Sequence, residues 1–126
     1  MKVAPERTNW RDEGLSARHR TWGWDCPAVD IDFLMLEYDH GEPRALIEYK
    51  NERATPQKAS HPSYRALISL GDRADVPFYC VRYASDYSLW KIIPLNKRAK
   101  EITPNRIELD EQAYISFLHS IKVYRK

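Results

Sequence analysis

Two short apolar runs, each carrying charges at two-residue spacing, constrain this chain more than any other feature. The first, Val29-Asp30-Ile31-Asp32-Phe33, leads into Leu34-Met35-Leu36. The second is Ala45-Leu46-Ile47-Glu48-Tyr49-Lys50. Between them lies Asp39-His40-Gly41-Glu42-Pro43, whose glycine and proline interrupt both helical and strand periods. Side chains two apart on a strand share a face. Glu48 and Lys50 therefore project together, and so do Asp30 and Asp32. A hairpin in even register brings all four onto one face. Two or three carboxylates and one ammonium in so small a space make a poor core. They make a good seat for a divalent cation and a water molecule.

The rest of the chain reads as an α+β domain. Val29 to Tyr38 is a strand, and the unbroken apolar stretch Phe33 to Leu36 predicts a central strand covered on both faces. Arg44 to Lys50 is the next strand, and Asn51 to Ser60 is polar and irregular. From about Pro62 the spacing of Tyr64, Leu67, Ile68 and Gly71 predicts a helix, with Gly71-Asp72 as its stop. Phe78 to Tyr83 is rich in strand formers. Asp86-Tyr87-Ser88 is a turn, Leu89 to Leu95 a further strand, and Asn96 to Arg106 a basic loop. Asp110 caps a last helix with the apolar face Tyr114, Phe117, Leu118 and Ile121. Upstream, Thr8-Asn9 caps a helix starting near Trp10, with Asp12 and Glu13 in its first turn. Trp22 to Pro27 is a loop. This order predicts a central mixed β-sheet flanked by helices, in a single domain spanning 1–126.

Composition bounds the function. A chain of 126 residues can bury one core, and its mix of apolar and charged residues argues against disorder. No apolar run is long enough to span a bilayer and no signal-peptide pattern opens the chain, so the expectation is a cytoplasmic protein with no membrane partner. Cys26 and Cys80 make no disulfide framework and are expected to be free, buried thiols. A net charge of +2 does not by itself point to nucleic acid. The clusters Lys97, Arg98, Lys100 and Lys122, Arg125, Lys126, with Arg7, Arg11, Arg18 and Arg20, can contact phosphates. A solvated surface is an equal alternative for each. No two histidines have metal-ligand spacing, and there is neither a glycine-rich phosphate loop nor a nucleophile elbow. Among the aromatic residues, core and loop-anchoring roles are the default for Trp10, Trp90, Tyr83 and Tyr87. Trp22 and Trp24 are the first candidates for stacking on bases.

Asp32, with Asp30 as the alternative, followed by Glu48-Tyr49-Lys50 in an E-x-K frame, resembles the PD-(D/E)xK nuclease superfamily. Sixteen positions separate Asp32 from Glu48, and apolar residues flank both, as in that family's hairpin. The namesake proline is absent: Ile31 precedes Asp32, and Pro27 lies further back. The resemblance implies a restriction-endonuclease-like core, αβββαβ, if one early strand is short. It implies Mg²⁺, with Mn²⁺ as a substitute, held by Asp32, Glu48 and the backbone carbonyl of Tyr49. Lys50 would orient the metal-bound water, help lower its pKa, or steady the pentacovalent charge; its alternative is a plain ion pair with Glu48 or Asp32. Asp30 would be an accessory or the primary ligand. Glu13 is the candidate for a further acid from the first helix, with Glu6 and Asp12 behind it, and Gln57 and Lys58 stand where some relatives place a downstream residue. The implied substrate is DNA, whether duplex, branched or single-stranded, with Arg18, Arg20, Trp22, Trp24, Arg53 and Lys58 as candidate contacts. The implied work is structure-directed cleavage in recombination, repair or the processing of phage and mobile-element DNA. Such small domains dimerise to cut two strands, so a second copy is a candidate partner. Two alternatives stand beside this. One is a nuclease fold without activity that binds nucleic acid or protein. The other is an unrelated α+β interaction domain whose charges are surface decoration.

Overall fold

The computed structural model describes residues 13–22, 29, 31–56 and 58–123. The chain divides into two units, Met1–Asp30 and Ile31–Lys126. In the first, helix α1 spans Glu13–Thr21, with Glu13 in its first turn and Arg18, His19 and Arg20 in its last, each complementing the helix dipole. The expected start of this helix near Trp10, with Asp12 beside it, lies outside the described residues.

The second unit holds a five-stranded mixed sheet in the order β1-β2-β3-β4-β5. The strands are β1 (Phe33–Glu37), β2 (Glu42–Asn51), β3 (Phe78–Tyr83), β4 (Trp90–Pro94) and β5 (Ile107–Leu109). Helix α2 (Pro62–Ala74) joins β2 to β3, α3 (Lys97–Ile102) joins β4 to β5, and α4 (Glu111–Val123) follows β5. β2 and β3 run parallel; every other neighbouring pair is antiparallel. Parallel neighbours need a crossover, and α2 supplies it. This is an α+β fold with helices on both sides of a mixed sheet.

Alternation along the strands sorts the core into two layers. Ala45, Ile47, Tyr79, Val81 and Ile92 face α4 and pack with Tyr114, Ile121 and Ala99. Leu46 and Phe78 face the other way and pack with Leu67 and Val76. The α4 face thus follows the expected stripe, and Asp110 caps that helix by accepting from the Ala113 amide at 2.8 Å.

Three expectations need correction. The first strand starts at Phe33 rather than Val29, and it is an edge strand, not a central one. Phe33, Leu34 and Leu36 are all exposed. The doubly covered runs are Ala45–Ile47 and Phe78–Val81, because β2 and β3 have neighbours on both sides. Helix α2 does not stop at Gly71; it runs to Ala74 and ends at Asp75, which takes the left-handed conformation at φ 58° and ψ 42°. The stretch from Asn96 to Arg106 is not a loop. Asn96 caps α3 by accepting from the Ala99 amide at 3.0 Å, and β5 begins at Ile107. Two strands precede α2 among the described residues, as the sequence order predicts.

The β1–β2 turn is held by one side chain. Glu37 accepts from the amides of Asp39 (3.1 Å) and His40 (2.8 Å), and the His40 ring lies 2.9 Å from the same carboxylate. Those bonds, the His40 amide first, hold the Glu37 carboxyl below its usual range. Gly41 supplies the positive φ of 66° that closes the turn. Arg44 is an extra residue in the ladder, since Met35 pairs with Ala45 and Leu36 with Pro43. Among the described residues, no helix is long and apolar enough to cross a membrane.

Candidate functional site

The end of β2 presents charge where its middle, Ala45–Ile47, presents hydrocarbon. Leu46, Glu48 and Lys50 share the α2 face by strand period, and in the parallel ladder Glu48 pairs with Cys80 and Lys50 with Arg82. Asp32 stands one residue before β1. The register Phe33↔Ile47, extended by one, sets Asp32 opposite Glu48 on that same face. There the ladder ends for a visible reason. Asp32 Oδ2 accepts from the Tyr49 amide at 3.1 Å, the place the Ile31 carbonyl would take in a continuing strand. Lys50 Nζ lies 3.6 Å from Glu48 Oε1, with the Glu48 side chain 14% and the Lys50 side chain 30% exposed. The structure therefore brings Asp32, Glu48 and Lys50 into one corner.

The electrostatics of the corner are those of crowded acids. Burial first, and then the charge of Asp32, push the Glu48 carboxyl above the usual glutamate range; Lys50 pulls the other way. Two groups that sequence reading did not assign to the site, Tyr64 and Cys80, adjoin it. Tyr64 of α2 places its hydroxyl 3.6 Å from Cys80 Sγ. Burial pushes both the tyrosine and the thiol up, and the charge of Glu48 adds to each. Arg82, also unanticipated, donates to the carbonyls of Glu52 (3.0 Å) and Ala54 (2.9 Å), pinning the loop that leaves β2. Strand alternation in Phe78–Tyr83 carried the signal for both Cys80 and Arg82, because their parity matches that of Glu48 and Lys50 once the two strands pair in parallel.

The Tyr49 carbonyl has a favourable aim. On a strand, a residue's N–H and C=O point to the same side. The Leu46 amide bonds the Pro77 carbonyl toward β3, whereas the Tyr49 amide bonds Asp32 on the β1 side. The Tyr49 carbonyl therefore faces the β1 side too, beyond the last β1 ladder pair. Hard oxygen donors from Asp32, Glu48 and this carbonyl suit a small divalent cation. They are two carboxylates and no more: among the described residues, no group of three or more His, Cys, Asp or Glu side chains gathers around one point.

The other candidates lie elsewhere in the sequence. Asp30, Gln57 and Trp24 lie outside the described residues, as does Cys26. Glu13, Arg18, Arg20 and Trp22 belong to the first unit, where the Trp22 ring packs against His19 at 4.5 Å. Arg53 and Lys58 are exposed on the segment after β2. Arg98, grouped by sequence with phosphate-contacting cations, is instead 6% exposed and bonds Asp75 and Glu101, each at 2.9 Å. Cys80 is a free, buried thiol, as expected. His61 caps α2, its ring nitrogen accepting from the Ser63 amide at 3.2 Å. No protein-family model, no curated protein and no solved structure matches this chain.

Proposed function

We propose that this chain is a small Mg²⁺-dependent nuclease of the PD-(D/E)xK type, hydrolysing phosphodiester bonds in DNA. The observation that carries the reading is the opposition of Asp32 and Glu48 across a strand pair, with Lys50 at 3.6 Å from Glu48. Crowded acids with no cation are unfavourable, and a divalent ion between them offsets the repulsion. The strand order also fits. A hairpin carrying the acid and the E-x-K element, then a helix, then a strand follows the final ββαβ of that family's αβββαβ core. Asp32, Glu48 and the Tyr49 carbonyl would hold Mg²⁺, and Mn²⁺ would substitute. Bound there, the ion supplies a water of lowered pKa and positive charge for the phosphoryl oxygens. Lys50 would orient that water or meet the charge that develops on phosphorus, and Arg82 keeps the neighbouring loop in place. The substrate in this reading would be a DNA structure such as a branch, flap or end. We place this work in the cytoplasm, in recombination, repair or mobile-element processing, with a homodimer as the arrangement for cutting two strands.

The decisive experiment is cleavage of single-stranded, duplex and branched DNA with Mg²⁺ or Mn²⁺, using the parent, Asp32→Ala and Glu48→Ala. Both variants should lose cleavage and keep a folded circular-dichroism spectrum; cleavage by both at the parent rate would refute the assignment. Lys50→Ala separates binding from chemistry. Ca²⁺-supported DNA binding should weaken only modestly, while single-turnover cleavage should slow by roughly a hundredfold, on the order of 3 kcal/mol of barrier.

A second reading has its own observation. Asp32 already bonds the Tyr49 amide and Lys50 already pairs with Glu48, so the corner is partly satisfied without an ion. A nuclease fold that binds nucleic acid or protein without cutting would look the same. Tight DNA binding with no Mg²⁺ dependence and no product would select it.

A further inference from the structure

The turn between β3 and β4 carries a tyrosine where the backbone favours glycine or asparagine. Tyr87 has φ 63°, the left-handed region that costs a bulky residue roughly 1–2 kcal/mol. The strain is locked in from both sides. The Tyr87 amide donates to the Ala84 carbonyl at 2.8 Å, and Trp90 Nε1 donates to the Tyr87 carbonyl at 3.0 Å. Asp86 closes the turn further by accepting from the Ser88 amide and hydroxyl. The ring so positioned lies flat. It is 12° from the plane of Tyr83 at 5.9 Å and 22° from that of Trp90 at 6.0 Å. Trp90 in turn stacks on the buried Tyr114 at 4.7 Å and 8°. Tyr83, Tyr87 and Trp90 thus form a triangle of inclined to near-parallel rings about 6 Å apart, tied to the core through Trp90 and Tyr114, in which Tyr87 is 54% exposed. The left-handed backbone and the exposed ring thus occur at one residue.

We propose that Tyr87 is a stacking platform for an unpaired base of single-stranded DNA. The nature of this ligand rests on the nuclease reading. The placement is favourable. Tyr83 pairs with Asn51, one residue past Lys50, so the ring cluster stands at the same end of the sheet as the Asp32–Glu48–Lys50 corner, on the opposite face. The turn and the loop leaving β2 are joined, Asn51 Nδ2 donating to Ser85 Oγ and the Ser85 amide to Glu52, each at 3.3 Å. Arg53, exposed on that loop, supplies positive charge for a backbone phosphate. Stacking takes any base, because every base has a π-face.

The test is binding in EDTA, where metal-dependent cleavage is off. The probes are an oligo(dT) of about twelve nucleotides and an abasic oligomer of equal length. The parent should prefer the base-bearing strand about tenfold and show tryptophan quenching. Tyr87→Phe should keep that preference. Tyr87→Gly and Tyr87→Asn, both suited to the left-handed turn, should lose it while melting near the parent temperature. Retention of the preference in the glycine and asparagine variants would overturn the platform, as would its absence in the parent. Cleavage of duplex DNA by a parent without the preference would leave the nuclease reading standing and this one fallen. Tyr87-dependent binding by a protein that never cleaves would do the reverse.

Discussion

Glu48 is held in a place where its charge is costly, and that makes it the most informative residue to neutralise. Its carboxyl is raised above the usual range, so the folded state favours the protonated form. The penalty is absent below the ordinary glutamate range and grows as pH rises through the folded-state value. Glu48→Gln should therefore match the parent in melting temperature near pH 3 and exceed it at pH 7, as thermal melts in EDTA would reveal. Mg²⁺ should raise the parent's melting temperature and leave the variant's unchanged. A variant less stable than the parent at pH 7 would mean that the ion pair with Lys50 outweighs burial and the Asp32 charge. Lys50 and Glu48 were legible from sequence because strand parity alone sets them together. Tyr64 was not, since its hydroxyl reaches Cys80 from a helix whose docking no local pattern specifies.

At the level of elements, Asn96 ties three of them together. Its side chain accepts from the Phe78 amide at 2.9 Å and the Ala99 amide at 3.0 Å, and donates to the Val76 carbonyl at 2.8 Å. It reaches them across Gly71, where a Cβ would stand 2.6 Å from Asn96 Nδ2 and 3.1 Å from the Val76 carbonyl. Gly71 is therefore a docking residue within α2. Gly71→Ala should destabilise the protein by about 1–3 kcal/mol, despite the better helix propensity of alanine. Chemical denaturation checks this; a neutral or stabilising result would show that Asn96 can move aside at no cost. The same residues explain where sequence reading stopped short. Glycine near a helix end reads as a stop, but here it is required by a close approach from a segment twenty-five positions away. The six-residue α3 was hidden by its charges, because its periodic signal is too short to outweigh a basic run. The apolar run of β1 was assigned to the centre of the sheet because exposure is a property of neighbours, which the run does not encode. The hairpin, the turn at Gly41 and the last helix were legible because each is set by residues close in sequence.

For the whole molecule, the mixed sheet has an uneven connectivity. β1–β2 and β3–β4 close over short turns, but Leu46 must find Phe78 thirty-two positions away across α2. Closing that distance fixes many residues before any long-range contact rewards the chain. The pairing of β2 with β3, and the seating of α2 upon them, should then be the event that limits the folding rate. The outer strands would join afterwards. Leu67→Ala, at the centre of that seating, should slow refolding in stopped-flow chevrons. Ile107→Val, on the outermost strand, should leave refolding alone and quicken unfolding. Comparable changes in both limbs for both variants would point to a diffuse transition state. The acidic corner stands on the strand whose pairing is slowest, so a chain caught before this step has neither seam nor site. Whatever the corner does, a half-made molecule cannot do it.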